Sequence, residues 1–427
     1  MALSLLIVVH EFGHFIFARL FKIRVEQFYL FFPPAIFKYK PKRSDTEFGI
    51  GCIPLGGFCK ISGMVDESMD KEALAQEPKP WEFRTKPAWQ RFFVMIGGVL
   101  FNLVFAIFLY CVILFAWGKE YLRTEDAIYG IQVNELSERM GFRNGDRILA
   151  FDGVPVEDFS KLQVELLRSQ AQQATVLRDK DTVLVPIDAT LFPEVLNSAG
   201  MFSLAAPIAV GGVPDTSLNA GAGLLVGDRF LQVEEEPVFF FSELTAALAK
   251  YPNTTVRVRF LRGQDTLLVP LMTDAMGKIQ VQLQGDASDF VMTRQEYSFF
   301  EAIPAGVRLA FATVGDYLKE LKLIFTPETQ AYKSVGSFIA IGSIFPSSWN
   351  WQAFWNITAW LSIMLAVLNL LPIPALDGGH VLFVLYEMIT RRKPSDKFLE
   401  YAQMTGMILL LALVVLALSN DFIRYIF

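Results

Sequence analysis

The sequence predicts a polytopic α-helical membrane protein of four transmembrane helices, with two α+β domains inserted between the second and the third. Three observations predict it: apolar stretches long enough to cross a bilayer, a composition poor in charge, and a repeat inside the one long region of ordinary soluble character. Of 427 residues, 53% are hydrophobic and 19% charged, against about a quarter charged in a typical soluble domain. The mean hydropathy is +0.37.

The first span is 1–20, apolar apart from Ser4, His10, Glu11, His14 and Arg19. Twenty helical residues rise about 30 Å, the thickness of a hydrocarbon core. A cleaved signal peptide fits poorly, because no basic stretch precedes the apolar run, no A-x-A site follows it, and polar groups occupy its middle. The second span, 92–117, carries no charge. The third, 354–390, is interrupted by Pro372, Pro374 and Gly378–Gly379, and the fourth is 404–426. Twelve Lys and Arg fall in 21–91, and the loop after the third span reads RRKPSDK. By the positive-inside rule both are cytoplasmic, which places the N-terminus, 118–353 and the C-terminus on the outside.

Within the outer region, residues 141–153 (GFRNGDRILAFDG) and 223–235 (GLLVGDRFLQVEE) share G-x-x-x-G-D-R-x-L at an offset of 82 residues, a domain-sized period. Each copy is followed by a short helical stretch, Asp158–Ser169 or Phe241–Lys250, and then by β-rich runs. The reading is one small half-open β domain, duplicated, over 118–190 and 203–276, with Gly145–Asp146 and Gly227–Asp228 in equivalent loops. Residues 277–353 connect it to the third span; amphipathic stretches such as Tyr317–Phe325 lie either on the membrane surface or against the domain pair.

Composition excludes some partners. A net charge of −6 argues against nucleic acid, whose phosphates need clustered Lys and Arg. Cys52, Cys59 and Cys111 form no disulfide framework and have no zinc-knuckle spacing, so all three read as structural.

The chain has only three histidines, His10, His14 and His380, and two of them fall in H-E-F-G-H, a match to H-E-x-x-H. Residues four apart on a helix share a face, so His10 and His14 present both imidazoles to one metal, with Glu11 one step round. The bland alternative, a pair of satisfied core histidines, is weakened by membrane burial, since an idle ionisable group there costs about 2.5–3.5 kcal/mol. Catalytic zinc takes three protein ligands and leaves one position open. The third is His380 or a carboxylate; Asp377 is the sole carboxylate between Glu328 and Glu387, and sits in Asn369-Leu-Leu-Pro-Ile-Pro-Ala-Leu-Asp377-Gly-Gly-His380. The prolines break the helix there, which lipid tolerates only around a cavity or a protein interior. An N-cap role for Asp377 and a packing role for His380 are the competing readings.

H-E-F-G-H in the first span, Gly98-x-x-x-Asn102 in the second and N-L-L-P-I-P-A-L-D-G in the third together resemble the site-2 protease family of intramembrane zinc metalloproteases. The duplicated units, and Ile53-Pro-Leu-Gly-Gly-Phe-Cys-Lys60, make the chain similar to the bacterial RseP type with tandem PDZ domains. The resemblance covers nearly the whole chain. It implies one Zn2+ per chain on His10, His14 and Asp377, with Glu11 as general base and acid. It implies that Asn369 and Asn102 are polar positions near substrate, and that 25–63 is a membrane-associated β-hairpin whose edge, with Gly56 and Gly57, pairs with unwound substrate. It further implies single-pass transmembrane proteins as substrates, a bacterial inner membrane with the active site toward the cytoplasm, periplasmic PDZ domains acting as a substrate filter, and an upstream site-1 type protease. Two departures stand out: prolines within 28–34 (FYLFFPP), and no clear G-L-G-F carboxylate loop in the repeats. Rival readings are a membrane metallohydrolase acting on lipid or lipidated peptide, a catalytically inactive PDZ scaffold, and a transporter; H-E-x-x-H has no evident part in the last.

Overall fold

The computed structural model describes residues 1–64, 77–198 and 200–426; residues 65–76 of the predicted cytoplasmic segment lie outside it. The chain divides into a helical unit (Met1–Gly118, Glu296–Phe325, Tyr332–Phe427) and a sheet-rich unit (Lys119–Gln295, Thr326–Ala331).

The helical unit contains α1 (Ala2–Leu20), α2 (Ala88–Trp117), α3 (Phe299–Ile324), α4 (Trp351–Leu370), α5 (Asp377–Thr390) and α6 (Asp396–Ile426). Among the described residues, four helices are long and apolar enough to cross a membrane: Ala2–Leu20, Ala88–Trp117, Trp351–Leu370 and Lys397–Ile423. The α1–α2 crossing is a backbone contact. A Cβ on Gly13 would lie 2.3 Å from the Gly97 carbonyl oxygen, so only small residues admit it.

The predicted third span, 354–390, is two helices. Proline disfavours helical geometry in the residue before it, and Leu371, ahead of Pro372, is extended (φ −59°, ψ 141°) and ends α4. Helix resumes at Asp377, whose carboxylate in the first turn suits the positive end of the α5 dipole.

The sequence leaves the placement of 301–345 open between the membrane surface and the domain pair, and α3 supplies neighbours that neither option named. Leu309, Ala310, Val314 and Tyr317 join a core with Leu109, Tyr110 and Ile113 of α2 and Ile363 and Val367 of α4, and Ala302 and Ala305 pack with Leu114. Arg308, Asp316, Lys319, Glu320 and Lys322 dilute its apolar face, which hides a bundle helix from a hydropathy scan.

β1 (Val25–Tyr39) and β2 (Glu47–Ile61) make more than the predicted hairpin. Both strands bend, and Gln27–Leu30 is flanked on one side by Glu47–Ile50 and on the other by Gly57–Lys60. Phe37–Tyr39 then adds outside Phe48–Ile50, so 57–61 forms one edge of the sheet. The prolines fall at the bend: Phe28–Leu30 is paired, and pairing resumes at Phe32 and Ala35.

The sheet-rich unit opens with β3 (Lys119–Tyr121) and β4 (Ile131–Val133). A four-stranded sheet follows from β5 (Arg147–Phe151), β6 (Val154–Pro155), β7 (Gln173–Arg178) and β8 (Asp181–Pro186), in order β6-β5-β7-β8. β9 (Phe202–Leu204) returns to β4. The second sheet comprises β10 (Ile208–Gly212), β11 (Arg229–Val233), β12 (Glu236–Pro237), β13 (Thr255–Arg262), β14 (Asp265–Met272) and β15 (Gln282–Gly285). Its path is β14-β13-β11-β10-β15 with β12 on β11, so β12-β11-β13-β14 repeats the order of the first copy. The second core gathers Phe230, Val258, Phe260 and Leu271 around the helix Phe241–Ala249, through Leu244 and Leu248. β16 (Thr293–Gln295) pairs with β3 and closes the unit at its two chain ends.

The repeat loops are held alike. Asp146 accepts from the Arg143 amide and from two guanidinium nitrogens of Arg178, while Asp228 accepts from the Leu225 amide and from Arg262 in the same way. Both aspartates are buried, so these loops are built around internal ion pairs. The neighbouring Arg229 donates to Asp286 and Asp289, and the Tyr129 hydroxyl donates to Asp289 at 2.6 Å.

These pairs predict acid lability. The Arg229 hydrogen bond holds the Asp286 carboxyl at about 2, Arg262 holds Asp228 below its ordinary value, and Arg229 does the same for Asp289. A depressed carboxylate contributes stability that is full above its unfolded pKa of about 3.9 and is lost as pH falls through the folded value. The thermal midpoint of the full-length protein's β-sheet signal is expected to be flat from about pH 7 to 5 and to fall between about pH 4 and 2. A midpoint unchanged to pH 2 would refute this.

Candidate metal centre

α1 presents His10 and His14 on one buried face, and the α4–α5 break delivers Asp377 to them. His10 Nε2 and His14 Nε2 are 3.3 Å apart, His10 Nε2 and Asp377 Oδ2 3.2 Å, and His14 Nε2 and Asp377 Oδ2 3.4 Å. A tetrahedral zinc with bonds of about 2.0–2.1 Å has ligand–ligand edges of about 3.3–3.4 Å. Asp377 Oδ2 is buried with no hydrogen-bond donor, which a carboxylate oxygen tolerates when a cation supplies its partner. Charge, donor set and spacing all fit one zinc ion. Among the described residues these three are the only group with convergent ligand atoms, and His380 is not in it.

The surroundings orient the imidazoles. His14 Nδ1 donates to the Val94 carbonyl at 2.8 Å, which directs the lone pair of Nε2 into the cluster. The Asn102 amide lies 3.3 Å from His10 Nδ1, and Asn102 Oδ1 is buried without a partner. Turning that amide over lets His10 Nδ1–H donate to Oδ1, which satisfies both groups and leaves His10 Nε2 for metal. Ser362 in turn donates to the Asn102 carbonyl at 2.8 Å. Gly98 makes room: a Cβ there would sit 2.5 Å from His10 and 2.6 Å from His14. The Asn369 amide nitrogen lies 3.3 Å from His10 Nε2, within reach of a molecule held at the cluster.

Glu11, on α1, faces the 57–61 edge. A Cβ on Gly57 would lie 3.5 Å from Glu11 Cγ and 2.6 Å from Ile7, and the Cys59 backbone amide is directed at the Glu11 carboxylate. Gly57 therefore lets the strand seat on α1, and Gly57→Val would displace it rather than test substrate contact alone. Gly56 faces the Phe32 ring instead, at 2.7 Å for an added Cβ.

Thus His10, His14, Asp377, Glu11, Asn102, Asn369 and Gly57 gather at one place, while Gly145, Asp146, Gly227 and Asp228 serve the sheet-rich unit. The Val94 carbonyl was invisible in the sequence, because any residue supplies one. Arg178 and Arg262 could have been found, since each stands just ahead of the parallel runs DTVLVP and DTLLVP.

A buried His-His-Asp cluster beside a glutamate, in a unit of membrane-length helices, has the donor set and geometry of a metallohydrolase centre. The chain belongs to peptidase family M50, whose model matches residues 1–413. It is 28% identical over 449 residues to a Vibrio cholerae protein named as a zinc metalloprotease, covering 99% of this chain and 97% of that one. It is 27% identical over 450 residues to the regulator of sigma-E protease RseP of Salmonella typhimurium, with the same coverage. A Thermotoga maritima protein named as a zinc metalloprotease is 26% identical over 495 residues, covering 95% of this chain and 94% of that one. The chain is a membrane protein of a zinc metalloprotease family.

Proposed function

We propose that the protein is an intramembrane protease of the site-2 type, holding one zinc per chain and hydrolysing peptide bonds within the transmembrane segments of single-pass proteins. The observation that carries this reading is the three-ligand cluster with Glu11 beside it, 3.2–3.4 Å between ligand atoms, on helices long enough to span a bilayer.

When bound, zinc supplies Lewis acidity that lowers the pKa of water to about 7 and offsets negative charge on a carbonyl oxygen. Glu11 accepts the proton of the attacking water and returns it to the departing amine nitrogen. The Asn369 amide donates to the carbonyl oxygen as its charge grows. An intact substrate helix shields its amides, so the segment must unwind, and each N–H and C=O exposed in lipid costs several kcal/mol unless paired again. The 57–61 edge offers those partners by strand addition beside Glu11; its single neighbouring run, 25–30, supports this role.

The two repeats of the sheet-rich unit are read as the tandem PDZ domains of the RseP type. They sit on the outer face of a bacterial inner membrane and exclude substrates that still carry bulky external domains, so that an upstream protease must act first. The β3–β16 pair brings Tyr121 and Thr293 together, which makes 122–292 a segment that can be excised across a short linker. With a single-pass substrate presented intact or pre-trimmed, excision is expected to bring cleavage of the intact form up to that of the trimmed form. Loss of both cleavages would identify the region as a receptor instead. Hydrolysis of a lipid ester in place of the peptide would favour the lipid-hydrolase reading.

A further inference from the structure

The mechanism leaves one buried ion pair in the helical unit unused. Arg91, at the start of α2, is 8% exposed, and its guanidinium donates to Glu387 of α5 at 2.5 Å. Arg91 Nε also donates to the Lys86 carbonyl at 3.0 Å, and the guanidinium carbon lies 5.9 Å from the centre of the Phe83 ring. The guanidinium is aimed before Glu387 meets it.

Its place in the fold matters more than its strength. Three residues beyond Arg91, Val94 accepts the His14 imidazole; one turn further Gly98 seats both imidazoles; one more turn on, Asn102 meets His10. α2 therefore sets both histidines from its own backbone and side chains. Asp377 comes from a different element: it stands at the first residue of α5, straight after the 371–376 break. Glu387 is ten residues along α5, about 15 Å from Asp377 at 1.5 Å per residue. Val381 and Val384, on the face between them, are buried, and Val381 packs with Val94 and Met95 of α2.

We propose that the Arg91–Glu387 pair is a positioning device for the third metal ligand: it fixes the register of α5 along α2 and so sets Asp377 against the two histidines. Valines packed on a helix permit sliding and rotation by a fraction of a turn. A bidentate-capable guanidinium clamped at one end does not. A buried pair is a poor source of stability, because apolar residues of similar volume serve as well or better. Register is what the pair adds.

The test uses full-length protein and three variants: E387Q, the apolar double R91M/E387L, and the charge swap R91E/E387R. Zinc retention is measured by competition with a chelator, ligand geometry by the visible absorption of the cobalt-substituted protein, and folding by thermal midpoint. The apolar double decides the matter, since it removes the clamp without leaving a lone buried charge. It is expected to keep the wild-type midpoint, to lose zinc about 10- to 100-fold more readily, and to show an altered cobalt spectrum. The charge swap is expected to recover most of the zinc retention that E387Q loses. A folded apolar double with wild-type zinc retention and cobalt spectrum overturns the proposal, as does a swap no better than E387Q. The proposal rests on the metal-site reading, and wild-type zinc binding separates the two failures: a wild type that binds no zinc sinks the site itself, whereas unaffected variants of a zinc-binding wild type sink only the clamp.

Discussion

Glu11→Gln is expected to reduce cleavage of a transmembrane substrate by about a thousandfold while leaving zinc content at the wild-type level. General acid–base groups contribute about 10²- to 10⁴-fold, and here one carboxylate serves both the attack on the carbonyl and the release of the amine. The replacement is nearly isosteric, and the convergent ligand atoms belong to His10, His14 and Asp377, not to Glu11. The amide keeps an oxygen that can accept from the Cys59 backbone, so the 57–61 edge stays seated on α1. Cleavage kinetics and metal analysis on the same preparation check both halves. Cleavage within a few-fold of wild type would remove Glu11 from the chemistry, and loss of zinc would make it a ligand.

Asp377→Asn is expected to abolish cleavage by a different route, through loss of the ion. The carboxylate is the only anionic member of the cluster, and its Oδ2 lies within 3.4 Å of both imidazole nitrogens. A neutral amide of the same shape keeps the α5 first turn but offers a much weaker donor oxygen to a divalent cation. Because changes to groups that merely orient ligands cost about 10- to 100-fold in metal affinity, removal of a ligand charge should exceed about a hundredfold. Metal content after dialysis against a zinc buffer is the measurement. Stoichiometric zinc in Asp377→Asn would place the third ligand elsewhere.

How much of this was legible beforehand follows from the range of each signal. Local patterns read well: H-E-F-G-H fixes two imidazoles on one helix face by spacing alone, and a proline pair ahead of a lone aspartate marks the break that carries it. The repeat at an offset of 82 is visible because each copy closes its turn with the same Gly-Asp-Arg, and the strand order repeats with it. Contacts distant in sequence did not read. Val94 acts through a backbone carbonyl, and Arg91 and Glu387 are separated by 296 positions. The fold of β1 and β2 back onto themselves depends on a bend at Phe31–Pro34 whose direction no alternation pattern encodes. α3 was missed as a bundle helix because Arg308, Asp316, Lys319, Glu320 and Lys322 lower its hydropathy, while part of the face it buries is made of the small residues Ala302, Ala305 and Ala310. Small residues in a helix face register weakly in any hydropathy count, although they permit the closest packing.

Zinc K-edge X-ray absorption of the purified, catalytically active protein tests the metal centre most directly. A first shell of nitrogen and oxygen only is expected, at about 2.0–2.1 Å, with outer-shell scattering from two imidazoles that is diminished in His14→Ala. A sulfur shell at about 2.3 Å, which would bring Cys59 or Cys52 onto the ion, or an active protein that carries no zinc, would contradict it.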